Sequence, residues 1–238
     1  MLPKIPDNSI DMVLTDLPYG TTPCKWDTLI DLTKLWKEYT RIIKQDGAMV
    51  FTSSQPFTTT LIQSNIEMFK YCWVWVKSCG AGFLNAKNAP LKLHEDICVF
   101  SKGTIANKSN KRMKYYPQGI VPISKPKKPP AISDTIGTRP CRVKPYVSKF
   151  KGFPTSILKF SNDKDKIHPT QKPIGLFEYL IKTYTKEGDW VHDSCVGCGT
   201  TINACANLNR NCVCFEISNE WEHLYKKAQQ KRSYQSTL

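Results

Sequence analysis

The sequence predicts an α/β fold in which a mostly parallel sheet is covered by helices. Two observations carry this prediction: short apolar runs alternate with helical stripes in both end portions of the chain, and Gly or Pro residues separate these elements. Such alternation is typical of crossover connections over a parallel sheet. Residues 102–160 lack periodicity, so we expect an inserted irregular lobe between two halves of one domain, residues 1–101 and 161–238.

The first half contains four apolar runs that predict strands and two helical stripes that predict helices. The strands are expected at residues 10–14, 48–52, 71–76 and 96–100, and the helices at 31–44 and 56–65. Gln45, Asp46 and Gly47 are expected to end the first helix. Residues 78–90 are rich in Gly, Asn and Ala and predict an exposed loop, which either closes over a ligand at the sheet rim or forms an ordinary hairpin connection.

The second half repeats the alternation. A helix is expected after residues 168–173, with an apolar stripe at Ile174, Phe177, Leu180, Ile181 and Tyr184. It is followed by a strand at residues 190–193, a Gly-rich turn, a helix at 201–208, a strand at 211–215 and a closing helix at 219–231.

The positive charge is concentrated in the lobe. The chain carries a formal charge of +14, and residues 102–151 hold thirteen Lys or Arg against one acid, Asp134. The rest of the chain is nearly neutral, so this segment indicates a polyanionic partner, and nucleic acid is favoured over a membrane surface because no amphipathic helical stripe is present. Tyr and Phe residues in the lobe are expected to pack or to stack on bases.

The cysteines and the absence of a leader bear on the cell compartment. No charged start is followed by an apolar core, and no apolar run approaches 18 residues, so we expect a soluble intracellular protein whose ten cysteines are mostly reduced. Cys195 and Cys198 form a CxxC pair, and zinc is the alternative interpretation. The pair lies inside a Gly-rich turn, which favours a site without metal.

The first candidate site is the turn that follows the first strand. Asp16, Pro18 and Tyr19 place a carboxylate, free backbone carbonyls and a flat ring at one rim of the sheet. This set suits a planar amine, since two acceptors can hold the amino hydrogens while the ring stacks on the heterocycle. The alternative is an ordinary strand followed by a Pro/Gly turn.

The second candidate site is a strand, a GxG turn, a helix, a strand and an acid. Glycines let the backbone approach a ligand closely, and Glu216, which lies 19 residues after Gly197, is placed to accept from ribose hydroxyls. Asp193 would repel a pyrophosphate but would pair with an ammonium group. A ligand with a ribose, a cationic amino-acid tail and no phosphate describes S-adenosyl-L-methionine.

These motifs resemble those of a known family. Residues 16–19 (Asp-Leu-Pro-Tyr) resemble the DPPY motif of the amino-methyltransferases of DNA, residues 193–201 resemble their DPFxGSGTT methyl-donor loop, and residues 168–173 are similar to their HPTQKP signature. The order of the motifs is that of the β class. The resemblance implies a Rossmann-like methyltransferase fold, with a mixed, mostly parallel sheet and helices on both faces, and a cytoplasmic enzyme of a bacterium or of a phage-infected cell.

The resemblance also implies the substrate and the site residues. It implies transfer of a methyl group from S-adenosyl-L-methionine to a flipped base in double-stranded DNA, by a monomer or a homodimer, with or without a partner nuclease. The implied catalytic residues are Asp16, Pro18 and Tyr19. The implied cofactor-binding residues are Asp16, His168, Thr170, Lys172, Asp193, Cys195, Gly197, Gly199, Thr200 and Glu216. The basic lobe would contact DNA through Lys108, Lys111, Arg112, Lys114, Lys127, Lys128, Arg139 and Arg142.

The sequence departs from the family pattern at four positions. Leu17 replaces the first proline of the catalytic motif, Ser194 and Cys195 replace the Pro-Phe of the donor loop, and Cys198 replaces its serine. The chain begins close to its first strand, which leads us to expect one sheet element fewer than in relatives. Adenine N6 is favoured by the resemblance; cytosine N4, an RNA base, a protein glutamine amide, and an inactive DNA-binding relative are the alternatives.

Overall fold

The computed structural model describes residues 2–22, 24, 27–127, 148–163 and 170–218, without the side chains of 124–127 and 148. The predicted closing helix at 219–231 lies outside the described residues. The described strands are β1 (Ile10–Asp16), β2 (Ile43–Ser53), β3 (Phe69–Ala81), β4 (Lys92–Phe100), β5 (Val121–Lys127), β6 (Ser148–Lys151), β7 (Ile157–Lys159), β8 (Trp190–Asp193) and β9 (Asn211–Cys214). The described α-helices are α1 (Leu32–Ile42), α2 (Phe57–Ser64), α3 (Ile174–Tyr184) and α4 (Thr200–Asn207).

Seven strands form one mixed sheet in the order β7-β3-β4-β2-β1-β8-β9. The pairs β1–β2, β1–β8, β8–β9 and β3–β7 are parallel, whereas β4 runs antiparallel to both of its neighbours, β2 and β3. The prediction of a mixed, mostly parallel sheet is confirmed. We call the edge at which β1, β2 and β8 end the carboxyl rim, and the edge at which they begin the amino rim.

Helices cover both faces of this sheet. Alternate strand residues point to opposite faces, so Met12 and Leu14 join a buried cluster with α3 and α4, while Val13 joins a second cluster with α1 and α2. This three-layer arrangement is the Rossmann-like fold that the resemblance implied. No helix among the described residues is long and apolar enough to cross a membrane.

The connection between α1 and β2 is tighter than the sequence predicted. Helix α1 begins after Asp31, whose carboxylate accepts from the backbone N–H of Lys34 at 3.2 Å, and it ends at Ile42. Strand β2 starts at the next residue, so Gln45, Asp46 and Gly47 lie within the strand. A Cβ atom on Gly47 would meet the backbone oxygen of Asp11 at 2.8 Å, so this close approach of β2 to β1 requires glycine.

The second compact unit is shorter than the lobe expected at residues 102–160. The described residues fall into two compact units, one formed by the chain up to Tyr116 and from Ser156 onward, the other by Pro117–Thr155. The second unit contains the antiparallel pair β5–β6. Strand β7, which the sequence analysis missed, pairs with β3 at the edge of the main sheet. It is three residues long, too short for a periodic signal.

Residues 102–116 belong to the first unit because they pack along the amino rim. Met113 is buried in the core, and Lys114 Nζ lies 2.6 Å from Asp11 Oδ1. The Asp11 carboxylate is almost fully buried and also accepts from Lys44 Nζ at 2.7 Å and from the backbone N–H of Trp190 at 3.0 Å. Asp11 thus ties β2, the segment after β4 and the start of β8 to β1.

We expect Asp11→Ala to lower the free energy of unfolding by about 3 kcal/mol, because it leaves two lysines at the amino rim without their shared carboxylate. Urea denaturation followed by tryptophan fluorescence measures this change. The control is Asp7→Ala, which removes an exposed partner of Arg41 and should change the free energy by less than about 1 kcal/mol. Equal effects of the two substitutions would contradict the role assigned to Asp11.

Candidate functional site

The polar residues singled out by both sequence motifs lie at the carboxyl rim. Asp16 is the last residue of β1, and Asp193 is the last residue of β8, its parallel neighbour. Glu216 follows the end of β9, the next strand along the sheet. Adjacent strands lie about 4.8 Å apart, so the two motifs meet in one site although they come from opposite ends of the chain.

Three side chains hydrogen-bond the carboxylate of Asp16. The Tyr19 hydroxyl donates to Oδ1 at 2.7 Å, the Thr52 hydroxyl donates to the same oxygen, and Lys172 Nζ donates to Oδ2 at 2.7 Å. Thr52 is level with Asp16 on the parallel strand β2. These contacts fix the orientation of the carboxylate. Thr52 was missed by the sequence analysis, although a polar residue ending a buried apolar strand is a signal that could have found it.

Lys172 lies beside Asp16 within a small charged network. Its side chain is 9% exposed, and Nζ is 3.5 Å from Glu95 Oε2, while Glu95 Oε1 accepts from Lys77. Burial by itself would lower the pKa of Lys172, but the charges of Asp16 and Glu95 outweigh it and raise the pKa, so the ammonium persists. In the structure the Lys172 ammonium thus contacts the Asp16 carboxylate, and its role in cofactor binding stays a prediction. Glu95 and Lys77 were also missed.

The turn after Asp16 is locked by packing. The Tyr19 ring stacks on Phe57 with the ring centroids 5.4 Å apart, and Lys172 Nζ lies 5.6 Å from the Tyr19 centroid. Burial, together with the negative charges of Asp16 and Glu95, raises the pKa of Tyr19 far above its ordinary value, so its hydroxyl remains a donor. Leu17 is 3% exposed in the core, so this departure from the family motif is a packing substitution. Pro18 follows it in the turn.

The loop beyond this turn is held by Asp27. Its carboxylate accepts from the backbone N–H groups of Gly20, Thr21 and Thr22 at 2.7 to 2.9 Å and from the Thr22 hydroxyl at 2.8 Å. Burial would raise the pKa of Asp27, but these donors lower it overall. Gly20 adopts φ 67°, which favours glycine. Asp27 is a further residue that sequence reasoning missed, since a lone acid in a loop carries no pattern.

The donor loop is built around Asp193. Its carboxylate accepts from the backbone N–H of Cys195 at 3.0 Å and from the Thr201 hydroxyl. Burial raises the pKa of Asp193 to about 6, although these two hydrogen bonds oppose the shift. Gly197 N–H donates to Glu216 Oε2 at 2.8 Å, so the loop and the acid after β9 are brought together.

The glycines of this loop keep a surface open. Gly197 and Gly199 adopt φ 51° and 92°, and among the described residues beyond its chain neighbours no heavy atom lies within 4 Å of the position that a Cβ on Gly197 would occupy. Gly199 precedes α4, and the hydroxyl of Thr200, the first residue of that helix, lies 3.5 Å from the Lys172 carbonyl oxygen. Thr170 is exposed in a turn before α3. His168 lies outside the described residues.

Ser194 connects the donor loop to its neighbours. Its hydroxyl accepts from the Tyr39 hydroxyl at 2.7 Å and lies 2.8 Å from His192 Nε2, while His192 Nδ1 lies 2.8 Å from the Val213 carbonyl. Burial lowers the pKa of His192 to about 4, so the ring is neutral at pH 7, with Nδ1 donating to the carbonyl and Nε2 accepting from Ser194. The family motif has a proline at this position, and a proline side chain cannot form these hydrogen bonds. Ser194 therefore restrains the loop through hydrogen bonds, where a proline would restrain it through its rigid ring.

The cysteines of the loop are thiols and not thiolates. Burial raises the pKa of Cys195 to about 12, with the charge of Asp193 adding to the effect, and burial also raises the pKa of Cys198. Cys195 packs against the core cluster of α1 and α2. Among the residues that the structure describes, no three His, Cys, Asp or Glu side chains form a group that could hold a metal ion.

The predicted DNA-binding residues lie elsewhere. Lys108, Lys111 and Arg112 are exposed on the segment that follows the end of β4, and Lys114 is paired with Asp11. This segment lies at the amino rim because the antiparallel strand β4 returns the chain to the edge opposite Asp16. These four residues thus lie at the rim opposite Asp16, and their contact with DNA stays a prediction. Lys127 lies in β5 without a described side chain, and Lys128, Arg139 and Arg142 lie outside the described residues.

The donor set fits S-adenosylmethionine. Asp193 and Glu216 offer acceptors for an ammonium group and for ribose hydroxyls, and two carboxylates disfavour a phosphate. The positive φ of Gly197 and Gly199 suits close approach of the backbone to a ligand. Asp16, on the adjacent strand, offers a carboxylate that suits an amine. Together, the fold and the two neighbouring sites define an S-adenosylmethionine-dependent amino-methyltransferase.

Comparison with known proteins identifies the family. The family of DNA methylases that comprises N6 and N4 methyltransferases matches residues 10–227, so the chain belongs to this family. The type II methyltransferase M.HpaI of Haemophilus parainfluenzae is 26% identical over 95% of this chain and 70% of its own length. The DNA adenine methyltransferase YhdJ of Escherichia coli (strain K12) is 27% identical over 92% of this chain and 76% of its own.

A solved structure agrees with this assignment. The crystal structure of the M1.HpyAVI–SAM complex superimposes with a TM-score of 0.59, with 24% identity over 92% of this chain and 88% of that one, which establishes the shared fold. The protein is thus an S-adenosylmethionine-dependent DNA methyltransferase.

We expect Lys172→Met to lower turnover by about tenfold or more while the dissociation constant for S-adenosylmethionine changes by less than about threefold, because Lys172 orients Asp16. Single-turnover methylation and calorimetric titration measure the two quantities, and thermal unfolding checks the fold. A large loss of cofactor affinity with normal turnover at saturating cofactor would contradict this role and support the sequence-based assignment of Lys172 to cofactor binding.

Proposed function

We propose that the protein methylates the exocyclic N6 amine of adenine in double-stranded DNA. One observation carries the proposal: the adjacent parallel strands β1 and β8 end at Asp16 and Asp193, respectively. One carboxylate suits an amine and the other suits the ammonium group of the methyl donor. The choice of adenine rests on the motif resemblance and is supported by an adenine-specific relative; cytosine N4 is the alternative within the family.

Asp16 would hold the target amine. A carboxylate has about four acceptor positions. Among the described residues, Tyr19 and Thr52 occupy two on Oδ1 and Lys172 occupies one on Oδ2, and we assign the remaining position on Oδ2 to an amino hydrogen. A carbonyl of the turn at Leu17 and Pro18 would take the second hydrogen. With both hydrogens held, the nitrogen can become pyramidal and direct its lone pair away from the ring.

Asp16 would also accept the proton that the amine releases after methyl transfer. S-adenosylmethionine, when bound, supplies an electrophilic methyl group on a sulfonium. The amine needs no base before transfer, because its acidity rises only as it gains the methyl group. Asp16 then accepts the released proton. Tyr19 would hold the base in plane, since stacking on Phe57 and the bond to Asp16 allow its ring one orientation.

The donor would be held by the loop after β8. We assign Asp193 to its ammonium group, Glu216 to its ribose, and the backbone around Gly197 and Gly199 to close approach, with Cys195 and Thr200 lining the loop. His168 and Thr170 stay in the proposal from the motif resemblance. DNA contacts are assigned to the basic segment of residues 117–155, including Lys127, Lys128, Arg139 and Arg142, because phosphate contacts offset the cost of extruding a base.

The test is incubation of the pure protein with labelled S-adenosylmethionine and mixed-sequence duplex DNA, followed by digestion and mass analysis of the nucleosides. N6-methyladenine is the expected product. N4-methylcytosine would correct the base and keep the reaction, whereas bound cofactor without any methylated DNA base would overturn the proposal in favour of an RNA or protein substrate. Absence of cofactor binding would favour an inactive DNA-binding protein.

We expect Asp16→Ala to reduce turnover by about a hundredfold or more, because it removes the acceptor that orients the amine. The dissociation constant for S-adenosylmethionine should stay within about threefold of the original, since Asp193 and Glu216 are retained. Single-turnover kinetics and calorimetry measure the two effects, and thermal unfolding verifies the fold. Turnover near the original rate would remove Asp16 from the mechanism.

We expect cofactor affinity to weaken by about tenfold between pH 7 and pH 5. The pKa of Asp193 is near 6 in the structure, and an ammonium partner favours the ionised carboxylate, so binding below pH 6 must release a proton. Calorimetry at several pH values, in buffers of different ionisation enthalpy, measures affinity and proton release together. Asp193→Asn is the control, and this variant should bind the cofactor weakly at pH 7 and release no proton. If the variant kept the same pH dependence of cofactor affinity as the original protein, the assignment of Asp193 would be refuted.

A further inference from the structure

The hairpin formed by β3 and β4 extends past the carboxyl rim. Asp16 is level with Thr52 on β2, and Thr52 is level with Ile97 on β4. Strand β4 begins five residues earlier, at Lys92, and β3 continues to Ala81, so the hairpin reaches roughly 16 Å beyond the level of Asp16. We call its end, residues 82–91, the hairpin tip. A base reaches Asp16 from this same rim.

The hairpin tip is ordered by its backbone but presents apolar side chains to solvent. Backbone N–H groups of Asn85, Ala86 and Asn88 donate to carbonyl oxygens within the tip at 2.9 to 3.1 Å, around a short 3-10 turn. Phe83 is 80% exposed and Leu84 is 99% exposed. Neither side chain is buried by the fold, so the fold does not account for a phenylalanine and a leucine at these positions.

The charge of the hairpin tip suits a polyanion. Residues 78–94 contain Lys87, Lys92 and no acidic residue. Both lysines are exposed. Two exposed apolar side chains followed by two cations match a duplex, whose phosphates lie outside its stacked bases.

The base of the hairpin contacts the catalytic network. Lys77 on β3 and Glu95 on β4 pair with each other, and Glu95 lies 3.5 Å from the Lys172 ammonium that binds Asp16. The hairpin is therefore anchored to the same charged group that orients the catalytic carboxylate, which holds the tip in a defined position relative to the base site.

We infer that the hairpin tip enters the DNA duplex beside the target base, with Phe83 and Leu84 filling the space that the extruded base leaves. An extruded base leaves an unstacked step, and Phe and Leu are side chains that proteins insert between bases at such steps. Lys87 and Lys92 contact the adjacent phosphates. The inference rests on the proposed function, because it requires a DNA base to leave the stack.

The test compares the double variant Phe83→Ala/Leu84→Ala with the unmodified protein on two substrates. One is a matched duplex that contains the methylated sequence identified with the unmodified protein; the other carries a mismatch opposite the target base. A mismatched base leaves the stack more readily and needs less support. We expect kcat/KM to fall by about tenfold on the matched duplex and by less than about threefold on the mismatched one.

Ile66→Ala is the matched control, because Ile66 is 61% exposed just before β3 begins at the amino rim, and its removal should leave both substrates unaffected. Equal losses of the double variant on the two substrates, or no loss on the matched duplex, would overturn the inference. So would a shift from dimer to monomer in sedimentation with matched-duplex activity retained, since the tip would then contact a second copy. Failure of the unmodified protein to methylate any DNA would be distinguishable from these outcomes: it would refute the proposed function, and the hairpin inference would fall with it.

Discussion

The meeting of parallel strand ends at one rim is the constraint on which the site depends. Backbone groups beyond the last ladder hydrogen bond are available to ligands there, and side chains from distant parts of the chain become neighbours. Asp16 ends β1 and Asp193 ends the adjacent β8, while Thr52 and Glu216 come from the flanking strands β2 and β9. At the amino rim, the buried Asp11 carboxylate connects β1 to β2, to the segment after β4 and to the start of β8. These contacts help to fix the relative positions of the strands.

The antiparallel strand β4 makes the two rims of the sheet different. It carries Glu95 to the charged group at Asp16, projects the hairpin beyond the rim, and returns the chain to the amino rim, where the basic residues 108–112 lie. Lys172 links this strand to the Asp16 carboxylate. Because a buried ammonium must have a partner, Asp16 and Glu95 together hold Lys172 in the site, and Lys172 in turn orients Asp16.

Two departures from the family motifs are explained by local packing. Leu17 faces the core, where an apolar side chain suits the position, and the turn keeps Pro18. Ser194 replaces the restraint of a proline with hydrogen bonds to Tyr39 and His192, which connect the donor loop to α1 and β8. Burial also lowers the pKa of His192, which keeps its ring neutral, and raises the pKa of Asp193 to about 6.

Local pattern in the sequence determined the α/β class, most element positions and the two motifs of the site, because apolar periodicity, Gly and Pro act over a few residues. Asp16 and Asp193 could be singled out for the same reason. Glu95 and Asp27 could not, since a single polar residue has no periodicity and becomes informative only when the fold brings it to a partner. The net charge of the segment predicted that Lys108, Lys111 and Arg112 contact DNA, but a charge count does not tell at which rim of the sheet a residue lies. The tertiary structure decided which rim each lysine reaches, because that depends on the reversal of β4.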